Sequence, residues 1–65
     1  MARTQVKISK RQAKELVEQL KKDANYHVYE GKLGYYFSFT SKKGDIIITV
    51  YEFDKKYFLE ISSLS

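Results

Sequence analysis

His27 is the one side chain in this 65-residue chain that ordinarily titrates near neutral pH, which makes it the first candidate for acid–base chemistry. A general base needs an orienting partner, and no Ser or Asp stands at a telling spacing from it. An ordinary strand histidine is the plainer reading. The carboxylates Glu30, Asp45, Asp54 and Glu60 lie in or beside turns or on a strand face, where solvation explains them. There is no Cys to act as a nucleophile, no second His to share a metal, and no Gly-rich phosphate loop. The inventory points to a non-enzymatic protein with no catalytic residues, no metal and no cofactor.

A second kind of chemistry is the binding of anions. Arg3, Lys7, Lys10, Arg11 and Lys14 place five positive charges in the first fourteen residues with no acid among them. Residues 1–25 hold seven cations against three acids, whereas residues 26–65 hold five against five, so the net charge of +4 belongs to the N-terminal part. The last of these cations fall at the start of a helix, whose N-terminus already carries about half a positive charge. Cations, dipole end and unpaired amides together suit phosphate or an acidic protein surface. A merely solubilising basic tail is the bland alternative.

The elements that must position these groups are legible in the pattern. Ser9 followed by Gln12 is a capping box, and Ala13, Leu16, Val17, Leu20 and Ala24 then form one stripe of a 3.6-residue period. The spacing predicts a helix over 9–25, ending near Ala24 with Asn25 in the left-handed conformation, and with Glu18 and Lys22 paired on its outer face. From Tyr26 the composition becomes Tyr, Phe, Val, Ile and Thr, and three loop signals divide it: 30–34, 41–45 and 54–56. Four strands are expected, near 26–30, 35–41, 45–53 and 57–62, joined by connections too short for parallel crossovers. The predicted fold is therefore α+β, one domain over 1–65, with an N-terminal amphipathic helix packed on a four-stranded antiparallel meander. Residues 1–8 are either a disordered basic arm or a short edge strand, since Val6 and Ile8 alternate with Gln5 and Lys7.

Facing depends on register. Tyr35, Phe37 and Phe39 alternate with Tyr36, Ser38 and Thr40 and make the better core face. A four-residue loop in the middle hairpin joins this face to Ile46, Ile48 and Val50, while a three-residue loop with a glycine bulge would align Phe39 with Ile47 and reverse one strand. The four-residue loop is preferred because it unites the two most apolar faces. Tyr29, Tyr36, Ile47, Thr49, Tyr51, Phe53 and Phe58, with His27 nearby, are then left on a face that one helix cannot cover. Tyrosines over an apolar body suit an interface, so this face is the candidate partner-binding surface.

Two resemblances bear on this. The order of a helix followed by strands resembles the small mRNA-cleaving toxins with a double-stranded-RNA-binding-like fold. Where those carry a Gly-Ser-His-His-type segment this chain reads Gly34-Tyr35-Tyr36-Phe37, without the histidine that the activity requires. Gly34 to Phe39 is similar to the aromatic strand on which RNA-recognition motifs stack bases, though the surrounding order of elements differs.

A chain this short builds only a small core, and without disulfides or metal it must lean on aromatic packing or on a partner. Six Tyr and four Phe supply the aromatics. The first residues lack the apolar run of a signal peptide, and the longest strand-like run, 46–51, is far short of a membrane span. The expected setting is cytoplasmic, and the bias towards Lys, Ile, Tyr and Ser points to an AT-rich bacterial or phage genome. The expected function is that of a small binding protein, an inhibitor or accessory factor, acting on another protein or pairing with itself through the aromatic face. The alternative is a nucleic-acid-binding module that uses the basic arm and helix start. Neither a membrane nor a small-molecule substrate is expected.

Overall fold

Local sequence accounts for each element in turn in the computed structural model, which describes residues 2–64. Strand β1 (Ala2–Ile8) leads into helix α1 (Lys10–Lys22), and four further strands follow: β2 (Tyr26–Glu30), β3 (Tyr36–Ser41), β4 (Ile46–Phe53) and β5 (Lys56–Ser63). All neighbours are antiparallel in the order β1-β5-β4-β3-β2. The chain starts at one edge, crosses the sheet through α1 to the opposite edge, and returns strand by strand. Among the described residues no helix is long and apolar enough to cross a membrane.

The α+β class is as expected, but the sheet has five strands rather than four, and the helix follows a strand instead of opening the fold. The first residues pair with β5 along their whole length, from Ala2 opposite Ser63 to Ile8 opposite Tyr57. Six of the seven β1 side chains are exposed, so hydrophobic burial contributes little there. What holds β1 is the backbone ladder, since the amides and carbonyls of β5 would otherwise form a long open edge.

Ser9 starts the helix as its sequence requires. Its hydroxyl accepts from the Gln12 amide at 3.0 Å, and the Gln12 side chain accepts from the Ser9 amide at 2.9 Å. The other end differs from expectation. The helix stops at Lys22, and Asp23 caps it in extended conformation, its amide donating to the Leu20 carbonyl at 3.2 Å. The Asp23 carboxylate then accepts from the Asn25 amide at 2.9 Å, which closes the turn without any left-handed residue at 25. Ala24 consequently leaves the apolar stripe and is exposed. Among the described residues the ion pair along the helix is Arg11–Glu15, at 3.3 Å, and not Glu18–Lys22.

The middle hairpin takes the four-residue loop, with Phe39 opposite Ile48 and Phe37 opposite Val50. Ser41 fixes it: its hydroxyl donates to Asp45 at 2.7 Å and accepts from the Ile46 amide at 3.1 Å. Gly44 supplies the left-handed residue, φ +76°, that lets its amide reach the Ser41 carbonyl at 2.8 Å. Between β4 and β5 a two-residue turn, Asp54-Lys55, has both residues left-handed, at φ 54° and 64°. This is the hairpin geometry that matches strand twist, reached here without glycine.

With these registers Phe37, Phe39, Val50, Ala13 and Val17 are buried together, and Ile8, Leu16, Leu20, Tyr26, Tyr35, Ile48, Tyr57 and Leu59 pack around them. Phe39 and Val50 are wholly inaccessible, and burial of such side chains stabilises by about 1.5–3 kcal/mol each. Lys21 closes one flank with its ammonium 4.8 Å from the Phe37 ring centre. Tyr35 lies edge-on to Phe37 and Tyr57, and burial, with smaller contributions from Tyr57 and Glu18, pushes its phenol above the ordinary value of 10.0.

Candidate binding face

Strand alternation and the observed registers leave one side of the sheet without a covering layer. Its positions are Arg3, Gln5 and Lys7 on β1; Lys56, Phe58, Glu60 and Ser62 on β5; Ile47, Thr49, Tyr51 and Phe53 on β4; Tyr36, Ser38 and Thr40 on β3; and His27 and Tyr29 on β2. Tyr29, Tyr36, Ile47, Tyr51, Phe53 and Phe58 thus share one surface. Tyr29 is 62% exposed and Phe53 69%, whereas Ile47, Tyr51 and Phe58 are half-buried even with nothing above them.

The half-burial of Tyr51 and Phe58 has a cause in the rings themselves. Phe58, Tyr51 and Tyr36 stand opposite one another on successive strands and form a row. The Phe58 and Tyr51 rings stack with centres 5.6 Å apart and planes 28° apart, Tyr51 leans on Tyr36 at 6.3 Å, and Tyr36 meets Tyr29 edge-on at 6.4 Å. The Gln5 side-chain amide donates to the Tyr51 hydroxyl and so ties the N-terminal strand to the row. Beyond Tyr36 the row opens into a shallow hollow of about 470 Å³ lined by Tyr29, Gly31, Lys32, Leu33 and Tyr36. Gly31 lets the strand end pass close to Tyr36, since a Cβ there would stand 3.0 Å from that of Tyr36 and would press on the ring.

A polar row lies beside the aromatic one: Gln5, Glu60, Thr49 and Ser38. Glu60 is the only carboxylate on the strand positions of this face, and Arg3 neutralises it with an ion pair of 2.8 Å. Lys7 and Lys56 remain as cations bordering the rings. The five basic residues of the N-terminal segment do not form one cluster. Arg3 and Lys7 lie on the open face of β1, while Lys10, Arg11 and Lys14 belong to the first turns of α1 on the other side of the sheet, where Arg11 is paired with Glu15.

His27 is exposed opposite Thr40, and among the described residues no group of three His, Cys, Asp or Glu side chains could hold a metal. Sequence reasoning missed Gln5, the Arg3–Glu60 pair and Leu33. The first two are contacts between residues 46 and 57 apart, invisible before β1 is placed. Leu33 was visible as an apolar residue inside a loop signal, and it is 92% exposed.

No family model matches this chain, and neither a curated protein nor a solved structure does. Its surfaces therefore carry the functional argument.

Proposed function

We propose that this chain is a small non-enzymatic binding protein, an inhibitor or accessory factor in a cytoplasmic setting, that docks its open aromatic sheet face on another protein. The observation that carries this reading is the uncovered row Phe58–Tyr51–Tyr36–Tyr29, in which each ring packs on the next. Rigid Tyr and Phe lose little conformational entropy on docking, and buried aromatics dominate interface energetics. The residue inventory, with no Cys and one His, supports the non-enzymatic part.

The second reading, a nucleic-acid-binding module, is favoured by the cations Lys7 and Lys56 beside the rings. Base stacking needs a free ring face, however, and Tyr51 and Phe58 each spend one face on the other. The split of the basic residues between two sides of the sheet further weakens a continuous phosphate track. Protein docking is therefore preferred.

Placing a photo-crosslinking phenylalanine analogue at Tyr36 or Phe53, with a control at helix residue Gln19, tests the reading. The face positions should capture one discrete protein partner, nuclease treatment should leave the product intact, and Tyr51→Ser should abolish it. Capture from Gln19 but not from the face would refute the docking surface. Loss of the product on nuclease treatment would favour the second reading.

A further inference from the structure

The edges of the sheet differ in a way that the open face does not. In an antiparallel strand the amide and carbonyl of one residue point to the same side, and those of the next point to the other. The Gly31 amide donates to the Tyr36 carbonyl at 2.9 Å, and the Asn25 carbonyl accepts from Lys42 at 2.9 Å. By alternation Asn25, His27, Tyr29 and Gly31 face β3, and the backbones of Tyr26, Val28 and Glu30 face outward from the sheet edge. The Tyr26 amide is satisfied by the Asp23 carbonyl at 3.3 Å. Among the described residues, the turn and loop backbone bonds reach neither Val28 nor Glu30.

Natural edges are guarded by shortness, by charged side chains and above all Lys, by Pro or by a bulge, and β2 has its five-residue length and the one charge of Glu30. Strand β2, Tyr-His-Val-Tyr-Glu, contains neither Lys nor Pro, and it pairs with β3 without a bulge. Its side chains are also largely uncovered, since Val28 is 51% exposed on the helix side, Tyr29 projects from the open face, and Leu33 lies just beyond. The opposite edge is guarded. Two copies of β1 paired antiparallel along their full length, centred on Gln5, would set Arg3 of each against Lys7 of the other, and like charges directly opposite are destabilising.

Strand β2 meets no such conflict with itself. Pairing two copies about a two-fold axis through Val28 places Val28 opposite Val28, His27 opposite Tyr29, and Tyr26 opposite Glu30. The outward groups of Val28 exchange both hydrogen bonds with their symmetry mates.

We propose that β2 is a self-association edge, at which two copies of this chain join antiparallel into one continuous ten-stranded sheet. The occupant of the edge is a second copy because antiparallel pairing about Val28 satisfies the outward groups of both strands while setting the one charge of the strand, Glu30, opposite Tyr26 rather than opposite a like charge. The two aromatic faces then become one surface, with Tyr29 at the seam. This inference is independent of what the face binds.

The chain contains no Cys, so Val28→Cys introduces a single thiol. Paired residues that exchange both hydrogen bonds have Cα atoms about 5.5 Å apart, within reach of a disulfide. Under mild oxidation Val28→Cys should cross-link to a dimer at least tenfold faster than Thr4→Cys on the guarded edge. Sedimentation of the parent should show a concentration-dependent dimer. Val28→Lys, and Val28→Pro, which removes only an outward amide, should sediment as folded monomers with the parental circular dichroism spectrum. The amides of Val28 and Glu30 should exchange more slowly as concentration rises. A parent monomeric up to millimolar concentration would overturn the proposal, as would a dimer that survives Val28→Lys. A dimer abolished by Tyr51→Ser but not by the Val28 variants would mean face-to-face association, and that outcome also overturns it. Failure of the face to capture another protein would leave these results unchanged, so the two readings fail separately.

Discussion

Tyr51→Ser and Phe39→Ala remove aromatic rings from opposite sides of the sheet, and comparing them measures which side is core. Phe39 is wholly buried between the sheet and α1, so its truncation loses transfer energy and leaves a cavity, at a cost of about 3–5 kcal/mol. Tyr51 contributes one stacked contact at 5.6 Å, one tilted contact at 6.3 Å and the bond from Gln5. At about 0.5–1.5 kcal/mol for a ring pair and about 0.5–1.5 for a hydrogen bond, and with contacts that overlap, Tyr51→Ser should cost about 1.5–3 kcal/mol. A 65-residue domain unfolds with an entropy near 0.14 kcal/mol per degree, so each kcal/mol lowers its melting temperature by about 7 °C. Tyr51→Ser should therefore melt about 10–20 °C below the parent and still fold cooperatively. Phe39→Ala should fall by about 20–35 °C and lose a third or more of the roughly 3–10 kcal/mol that a domain of this size possesses. Melts followed by circular dichroism, with urea titrations to check that the slope is unchanged, provide the comparison. Tyr51→Phe is the control, since it keeps the rings and should cost only the hydrogen bond, about 0.5–1.5 kcal/mol. If Tyr51→Ser were the more damaging of the two, the assignment of core and open faces would be inverted.

The Asp54-Lys55 turn holds two non-glycine residues left-handed, so Lys55→Gly should raise the melting temperature by about 4–7 °C, corresponding to about 0.5–1 kcal/mol; a fall would show that this conformation is unstrained. The Tyr35 phenol titrates above its ordinary value in the folded state, so the folded chain holds that proton longer than the unfolded chain. Its contribution is present below about pH 10 and is lost as pH rises from there through the raised value. Urea titrations between pH 9 and 11 should show a shallower alkaline loss for Tyr35→Phe than for the parent, and an unchanged slope would refute the shift. With only Lys7 and Lys56 as unpaired cations on the strand positions of the face, affinity for a single-stranded oligonucleotide should vary with salt at a log–log slope no steeper than about −2. A slope near −4 would show that the helix cations join them. Changing Arg3, Lys7 and Arg11 together to Gln should lower melting by more than the exposed Arg11–Glu15 pair accounts for, at under about 1 kcal/mol, because loss of Arg3 leaves the carboxylate of Glu60, only 18% exposed, without its ion pair; Arg11→Gln alone should melt close to the parent.

Local chemistry made much of this fold legible. Ser9 and Gln12 name a helix start through two reciprocal hydrogen bonds, and the stripe from Ala13 to Leu20 names its buried side. The core facing of Phe37 and Phe39 follows from strand alternation once the loop length is chosen. The helix end was harder, because Asp23 and Asn25 both favour turns and only the geometry distinguishes which one closes the helix. The arm was harder still. Val6 and Ile8 hint at a strand, but the side chains of β1 bury too little to separate a paired edge from a solvated tail.

What the sequence by itself determined is the type and order of elements from Ser9 onward, together with the set of aromatic residues that alternate away from the core. Those properties arise from periodicity, capping and turn chemistry, which act between near neighbours. Only the tertiary structure decided that residues 2–8 pair with β5, that Gln5 and Arg3 thereby reach Tyr51 and Glu60, and that the basic residues divide between two sides of the sheet. It also decided which strands are edges, because pairing between distant segments depends on the whole sheet's demand for hydrogen-bond partners, and no short stretch of sequence encodes that demand.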